Sequence, residues 1–204
     1  MPYTPEQREY RSFAAALAPV PQTSDERGAY TVEGYATTFD DAYELYRDYD
    51  DNPVYERISR DALAGADMSD VIFQLNHDGA PLARLRNGSL EVACDEHGIR
   101  VRAQLGGSRE GRDLYEAIAN GLIDRMSWGF TIAPDGWEWD DQTRTHTITK
   151  VSKVFDVSAV SMPANEGTEI HARSHIDGVI DAGRQELLAR DRARRERMAL
   201  ALAV

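Results

Sequence analysis

Between residues 99 and 105 every second side chain is apolar: Ile99, Val101, Ala103 and Leu105 alternate with Arg100, Arg102 and Gln104. A period of two commits this segment to a strand with one face buried. Residues 90–94 supply a second arm, and Asp95-Glu96-His97-Gly98 between them reads as the loop of a β-hairpin. The same period returns at 126–132, where Met126, Trp128, Phe130 and Ile132 point one way and Ser127, Gly129 and Thr131 the other. Between these two alternating stretches the spacing changes. Leu114, Ala117, Ile118 and Leu122 recur at helical intervals, with Ser108 available as cap and Gly121 as stop.

Further strands are expected on either side. Residues 10–17 and 30–39 predict two of them, separated by the turn-rich PVPQTSDERG, and 71–75 predicts a short buried one. The acidic stretch 40–51 shows no period and is expected as an exposed loop or short helix; 55–63 is expected to be short-helical or irregular. Residues 137–148 predict a second hairpin turning at Asp140-Asp141-Gln142. In the strand 151–161, Phe155, Val157 and Ala159 share one face, and Val154, Asp156, Ser158 and Val160 the other. Strands dominate, so the expected fold is mainly β with flanking helices (α+β), its core a small barrel or curled sheet. From about Arg173 the composition shifts. Residues 183–204 hold six arginines against three acids, a net charge of +3 that leaves −15 for residues 1–182. The expected organisation is a domain over 1–172 and a basic helical tail over 173–204.

Charge and composition narrow the function. A net charge of −12 repels a phosphate backbone, so no nucleic-acid partner is expected. No apolar run is long enough to cross a bilayer, and the polar MPYTPEQREYR predicts no signal peptide and a cytosolic setting. The single cysteine, Cys94, precludes an internal disulfide and is expected to be a buried structural thiol. No metal or cofactor site is expected. His171 and His175 are four apart but lack the glutamate of HExxH, and the acidic stretch 40–51 lacks the glycine and terminal glutamate of a calcium loop.

Two residues carry nucleophilic chemistry on paper. Ser127 is an isolated hydroxyl opposite a strongly apolar strand face, and Gly129, two along, leaves space beside it. His77, in Asn76-His77-Asp78-Gly79 at the mouth of the strand 71–75, is placed as a general base near neutrality. On spacing alone the commoner explanations are a solvent-facing serine and an ordinary turn.

Four short stretches in order shift that balance. They are Val32-Glu33-Gly34-Tyr35-Ala36, Asn76-His77-Asp78, Met126-Ser127-Trp128-Gly129-Phe130, and Asp156-Val157-Ser158-Ala159-Val160 followed by Pro163-Ala164-Asn165. Together, over roughly residues 8–172, they resemble the prohead (procapsid maturation) serine proteases of tailed bacteriophages, which are distantly similar to the herpesvirus assemblins. The resemblance implies a small β-barrel of that type ringed by helices. It places the family's catalytic histidine on His77, its serine on Ser127 and its acid on Asp156. Three departures stand out: Asp156 where glutamate is usual, Trp128 where an aliphatic side chain is common, and Ala83 where glycine is frequent. Assemblins use a second histidine instead of an acid, which makes His146 the rival third member.

The function so implied is a serine endopeptidase that cuts scaffold segments of capsid proteins, and its own termini, during procapsid maturation. Its partners would be the scaffold segment of the major capsid protein or a separate scaffold protein. A homo-oligomer is compatible, and the location would be the assembling procapsid in the host cytoplasm. The alternative is a catalytically inactive capsid-assembly or scaffold-binding protein on the same fold.

Overall fold

A computed structural model describes residues 7–13, 17–20 and 30–161. The basic tail and the 172/173 boundary lie outside them, as do His171, His175 and the Pro163-Ala164-Asn165 motif. The described chain is mainly β, with one α-helix, and its strands pair into three sheets. The first carries β1 (Glu9–Phe13), β10 (Arg125–Ile132), β13 (Val151–Val160), β6 (Ile72–Leu75) and β7 (Asp78–Arg84), side by side in that order. The second runs β11 (Trp137–Asp140), β12 (Thr145–Ile148), β5 (Pro53–Ile58), β4 (Tyr43–Arg47). The third runs β2 (Ala18–Pro19), β3 (Thr31–Thr38), β9 (Gly98–Gln104), β8 (Leu90–Cys94). No pairing among the described residues closes these sheets into a ring of strands.

The alternating segments fold as their period requires. In β9, Ile99, Val101 and Ala103 are buried, and the hairpin to β8 forms as expected. The helix α1 (Arg109–Ala119) begins where Ser108 accepts a hydrogen bond from the Gly111 amide at 2.9 Å, and it buries Leu114 and Ile118. Leu122 falls beyond its end and is exposed. In β10, Met126, Trp128, Phe130 and Ile132 are all fully buried, and the Trp128 and Phe130 rings stack with centroids 3.8 Å apart.

Two expectations in the acidic half give way to strands. Residues 43–47 form β4, because Tyr43, Leu45 and Tyr46 have β5 to pack beside, and 53–58 form β5 rather than an irregular piece. The acids of this stretch are partnered at its ends: Asp40 with Arg60 at 3.4 Å and Asp48 with Arg144 at 2.5 Å. Strict alternation also fails in β13. Val154 pairs with Phe130 and Asp156 with Gly129, so Phe155 is the extra residue of a β-bulge. Both Val154 and Val157 therefore face the core, three residues apart.

The first and second sheets are tied together by charge. Arg11, fully buried on β1, donates from Nε to Glu56 Oε1 (2.5 Å), from Nη2 to Glu56 Oε2 (2.9 Å) and from Nη1 to Glu9 Oε2 (3.1 Å). The Tyr43 hydroxyl donates to Glu56 as well. Burial alone would weaken the guanidinium's hold on its proton, but the carboxylates of Glu56 and Glu9 outweigh it and keep Arg11 above its ordinary range. Arg11→Met should leave two buried carboxylates without that cation and cost about 3–5 kcal/mol. The urea midpoint, followed by tryptophan fluorescence, would read the loss. An unchanged midpoint would mean that the network contributes nothing net.

Candidate active site

His77 owes its position to a turn of two residues. Leu75 pairs with Asp78 across the β6–β7 hairpin, and Asn76 and His77 between them both adopt positive φ, 52° and 59°. This is the left-handed backbone of a tight hairpin turn, which asparagine tolerates and which costs histidine about 1 kcal/mol. Asn76 anchors the turn to β13: its amide donates to Ala159 O at 2.9 Å, and its Oδ1 accepts from the Ser161 amide (3.0 Å) and hydroxyl (3.2 Å). The asparagine of the Asn-His-Asp motif is thus explained by the strand it holds.

Ser127 and Asp156 come from neighbouring strands. In the β10–β13 ladder Ser127 lies opposite Ser158 and Gly129 opposite Asp156, so all four share the sheet face away from Trp128. Ser127 Oγ lies 2.7 Å from His77 Nε2, and His77 Nδ1 is in close contact with Asp156 Oδ1. A proton on Nδ1 shared with the carboxylate leaves the Nε2 lone pair facing the serine. The 50 residues of sequence separating His77 from Ser127 are bridged because β6 runs parallel to β13.

The N-terminal segment from Arg8 to Arg11 reaches each of these side chains in turn. Ser127 Oγ also donates to the Arg11 carbonyl at 2.9 Å, so one hydroxyl proton has two acceptors within reach. The Tyr10 ring packs on the His77 imidazole with centroids 4.4 Å apart. Arg8 Nη1 stands 3.9 Å from Asp156 Oδ2 while its guanidinium lies over the Phe155 ring. Ser127 is only 1% exposed, so a substrate reaches the hydroxyl only when a covering group moves. Nothing in the order Arg8-Glu9-Tyr10-Arg11 signals these contacts, since such a polar run reads as ordinary surface.

The space beside Gly129 is not open. A Cβ there would lie 2.5 Å from Asp156 Oδ2 and 2.9 Å from a Tyr10 ring carbon. The glycine makes room for the carboxylate. Gly129→Ala should push Asp156 off His77 and lower any turnover at this site by about tenfold or more. Retention of full activity in that variant would mean that the carboxylate's position does not matter.

The other candidates lie apart. His146 is buried on β12 against the rings of Trp139 (4.5 Å) and Trp137 (5.2 Å), in the second sheet. His97 sits in the β8–β9 loop against Tyr35. Cys94 is exposed rather than buried: it is the last residue of β8, which lies at the edge of its sheet. Partial desolvation of its sulfur, and then the Asp95 carboxylate, push its pKa up, away from a reactive thiolate. The backbone amides of Trp128 and Gly129 lie in a strand paired on both sides and point along the sheet, poorly placed to receive an oxyanion above its face.

Comparison with known proteins agrees with the motifs. Residues 19–179 match the family described as caudovirus prohead serine protease. The chain is 30% identical, over 155 residues, to the prohead protease of Enterobacteria phage HK97. That match covers 72% of this chain and spans 61% of the relative's length. No solved structure matches the chain.

Proposed function

Because this chain belongs to the caudovirus prohead serine protease family, we propose that it is a serine endopeptidase with Ser127 as nucleophile, His77 as base and Asp156 as the acid that orients it. The observation that carries this reading is the short line of contacts from Ser127 Oγ through both His77 nitrogens to Asp156. His77 Nε2 takes the Ser127 proton as Oγ bonds to the scissile carbonyl carbon. The imidazolium then protonates the amide nitrogen, the C–N bond breaks, and the amine leaves an acyl-serine. Water, deprotonated by His77, attacks that ester; the bond from the acyl carbon to Ser127 Oγ breaks, the new carboxylic acid leaves, and His77 returns the proton to Ser127 Oγ. Asp156 keeps the Nδ1–H tautomer throughout, and no step calls for a cofactor.

The proposed substrates are scaffold segments of the capsid protein or a separate scaffold protein, inside the assembling procapsid, and the protease's own termini. The basic tail 173–204, opposite in charge to the rest of the chain, would tether the protease to acidic scaffold or to its own acidic body until it is cut away. The small barrel of the assemblins is the fold this reading extends to the whole domain. Among the described residues no helix is long and apolar enough to cross a membrane.

One observation favours a second reading, a non-catalytic assembly protein on the same fold: the near-complete burial of Ser127. Incubating the purified protein with scaffold-bearing capsid protein separates the two. The protease reading expects new capsid bands on a gel and a fluorophosphonate adduct on Ser127 by mass spectrometry. Intact capsid protein with an unlabelled Ser127, under conditions where particles mature, would leave the assembly role.

A further inference from the structure

We propose that Ser158 is a positioning residue, a fourth member of the hydrogen-bonded line that fixes the Asp156 carboxylate against His77. The inference rests on the triad reading above. Its starting point is that Asp156 is only 1% exposed and that its Oδ2 is buried with no hydrogen-bond donor. The nearest cation, Arg8, stands 3.9 Å away on a side chain that is 44% exposed. A buried carboxylate held so loosely on one oxygen must be held on the other. Two donors converge on Oδ1: His77 Nδ1, and Ser158 Oγ at 3.1 Å.

Ser158 has no packing reason to be a serine. Its neighbours Val157, Ala159 and Val160 are buried and apolar, and Ser158 itself is 0% exposed. A hydroxyl sealed at such a point is unfavourable unless it is bonded, and the bond it makes is to Asp156. The strand's geometry makes the contact automatic. Residues two apart on β13 project to one face, and the ladder sets Ser158 directly opposite Ser127. The row Ser127–Ser158 and the row Gly129–Asp156 then form a small square, in which the absent Gly129 side chain admits the carboxylate and the Ser158 hydroxyl orients it.

A hydroxyl donating to an ionised carboxylate favours the ionised form and fixes its plane. Without it, Asp156 binds a proton more readily, and the charge left undispersed on Oδ1 draws the His77 proton more strongly. Both changes move the acid limb of kcat/KM to higher pH. The loss of alignment lowers kcat, while peptide binding is untouched.

The test compares wild type, Ser158→Ala and Ser158→Thr. Ser158→Ala should lower kcat by about ten- to a hundredfold, leave KM unchanged and raise the pH of the acid limb. Ser158→Thr, which keeps the hydroxyl, should restore the limb. Titration of His77 by imidazole 15N NMR reads the same change without any turnover. The expectation is a higher His77 midpoint in Ser158→Ala than in wild type or Ser158→Thr. An unchanged midpoint and acid limb in Ser158→Ala would overturn the proposal, as would a loss confined to KM or to thermal stability. If the midpoint shifts but no variant, wild type included, cleaves protein, the proteolytic reading falls and the positioning role stands.

Discussion

Ser127→Ala should abolish cleavage of scaffold-bearing capsid protein, a loss of about four to six powers of ten in kcat. The magnitude follows from the contacts. Oγ is the atom that lies 2.7 Å from His77 Nε2, and it is the atom that would bond to the scissile carbon. The protein should still fold. Truncation removes one oxygen from a position whose partners are the His77 ring and the Arg11 carbonyl, and a lost hydrogen bond of this kind costs about 1 kcal/mol. A circular dichroism melt within a few degrees of wild type, together with uncut substrate, is the expected pair of results. Cys94→Ala is the matched control: its sulfur lies at the exposed end of β8, so activity should be unchanged. Cleavage persisting in Ser127→Ala and vanishing in Cys94→Ala would replace the serine mechanism with a thiol one.

Much of the frame was legible because side-chain period maps directly onto burial. Ile99 to Leu105 and Met126 to Ile132 alternate without interruption, and both fold as strands with the apolar face inward. Ser108 caps its helix because its short side chain sets a hydroxyl oxygen within reach of the Gly111 amide, which has no partner inside the first turn. The failures are equally physical. Residues 43–47 carry no period of two strong enough to announce a strand, and β5 beside them supplies the hydrogen bonds that make one. The β13 bulge shifts the parity of Val154 against Val157, which no reading of alternation anticipates.

The site divides along the same line. Asp156 and Ser158 share a face with Ser127 because β10 and β13 pair with their apolar faces on the same side of the sheet; alternation set each of these residues opposite its own strand's apolar face, and the pairing supplied the rest. The proximity of His77 was not implied by spacing. It depends on a parallel β6–β13 pairing that brings together His77 and Asp156, 79 residues apart, and only the motif resemblance pointed to it. The buried Arg11–Glu56 pair was invisible for a related reason. A charged residue in a polar stretch reads as solvated until another sheet is known to cover it.

Asp156→Asn is the sharpest test of how the base is held, with an expected fall of about four powers of ten in kcat. The amide is nearly the same size as the carboxylate, so the square formed with Gly129 and Ser158 should survive. Its hydrogen-bonding character does not. An amide nitrogen turned toward Nδ1 donates where the carboxylate accepted, which forces Nδ1 to be the acceptor and moves the ring proton to Nε2. Nε2 then faces Ser127 Oγ with a proton already in place and cannot take another. If the new side chain turns its oxygen inward instead, the correct tautomer is kept but the imidazolium loses its counter-charge. Either outcome slows proton transfer and neither alters the peptide's binding, so KM should hold while kcat collapses. The rival arrangement puts His146 in this role. Its ring, on β12, packs against Trp137 and Trp139 of β11, whereas the group against His77 Nδ1 is Asp156. His146→Ala should therefore reduce stability by leaving a gap beside the two indoles, while kcat per folded molecule stays within about threefold. Fluorescence-detected unfolding and peptide turnover on the same samples separate these effects. A collapse of kcat in His146→Ala with near-normal turnover in Asp156→Asn would show that a second histidine, and not the aspartate, orients the base.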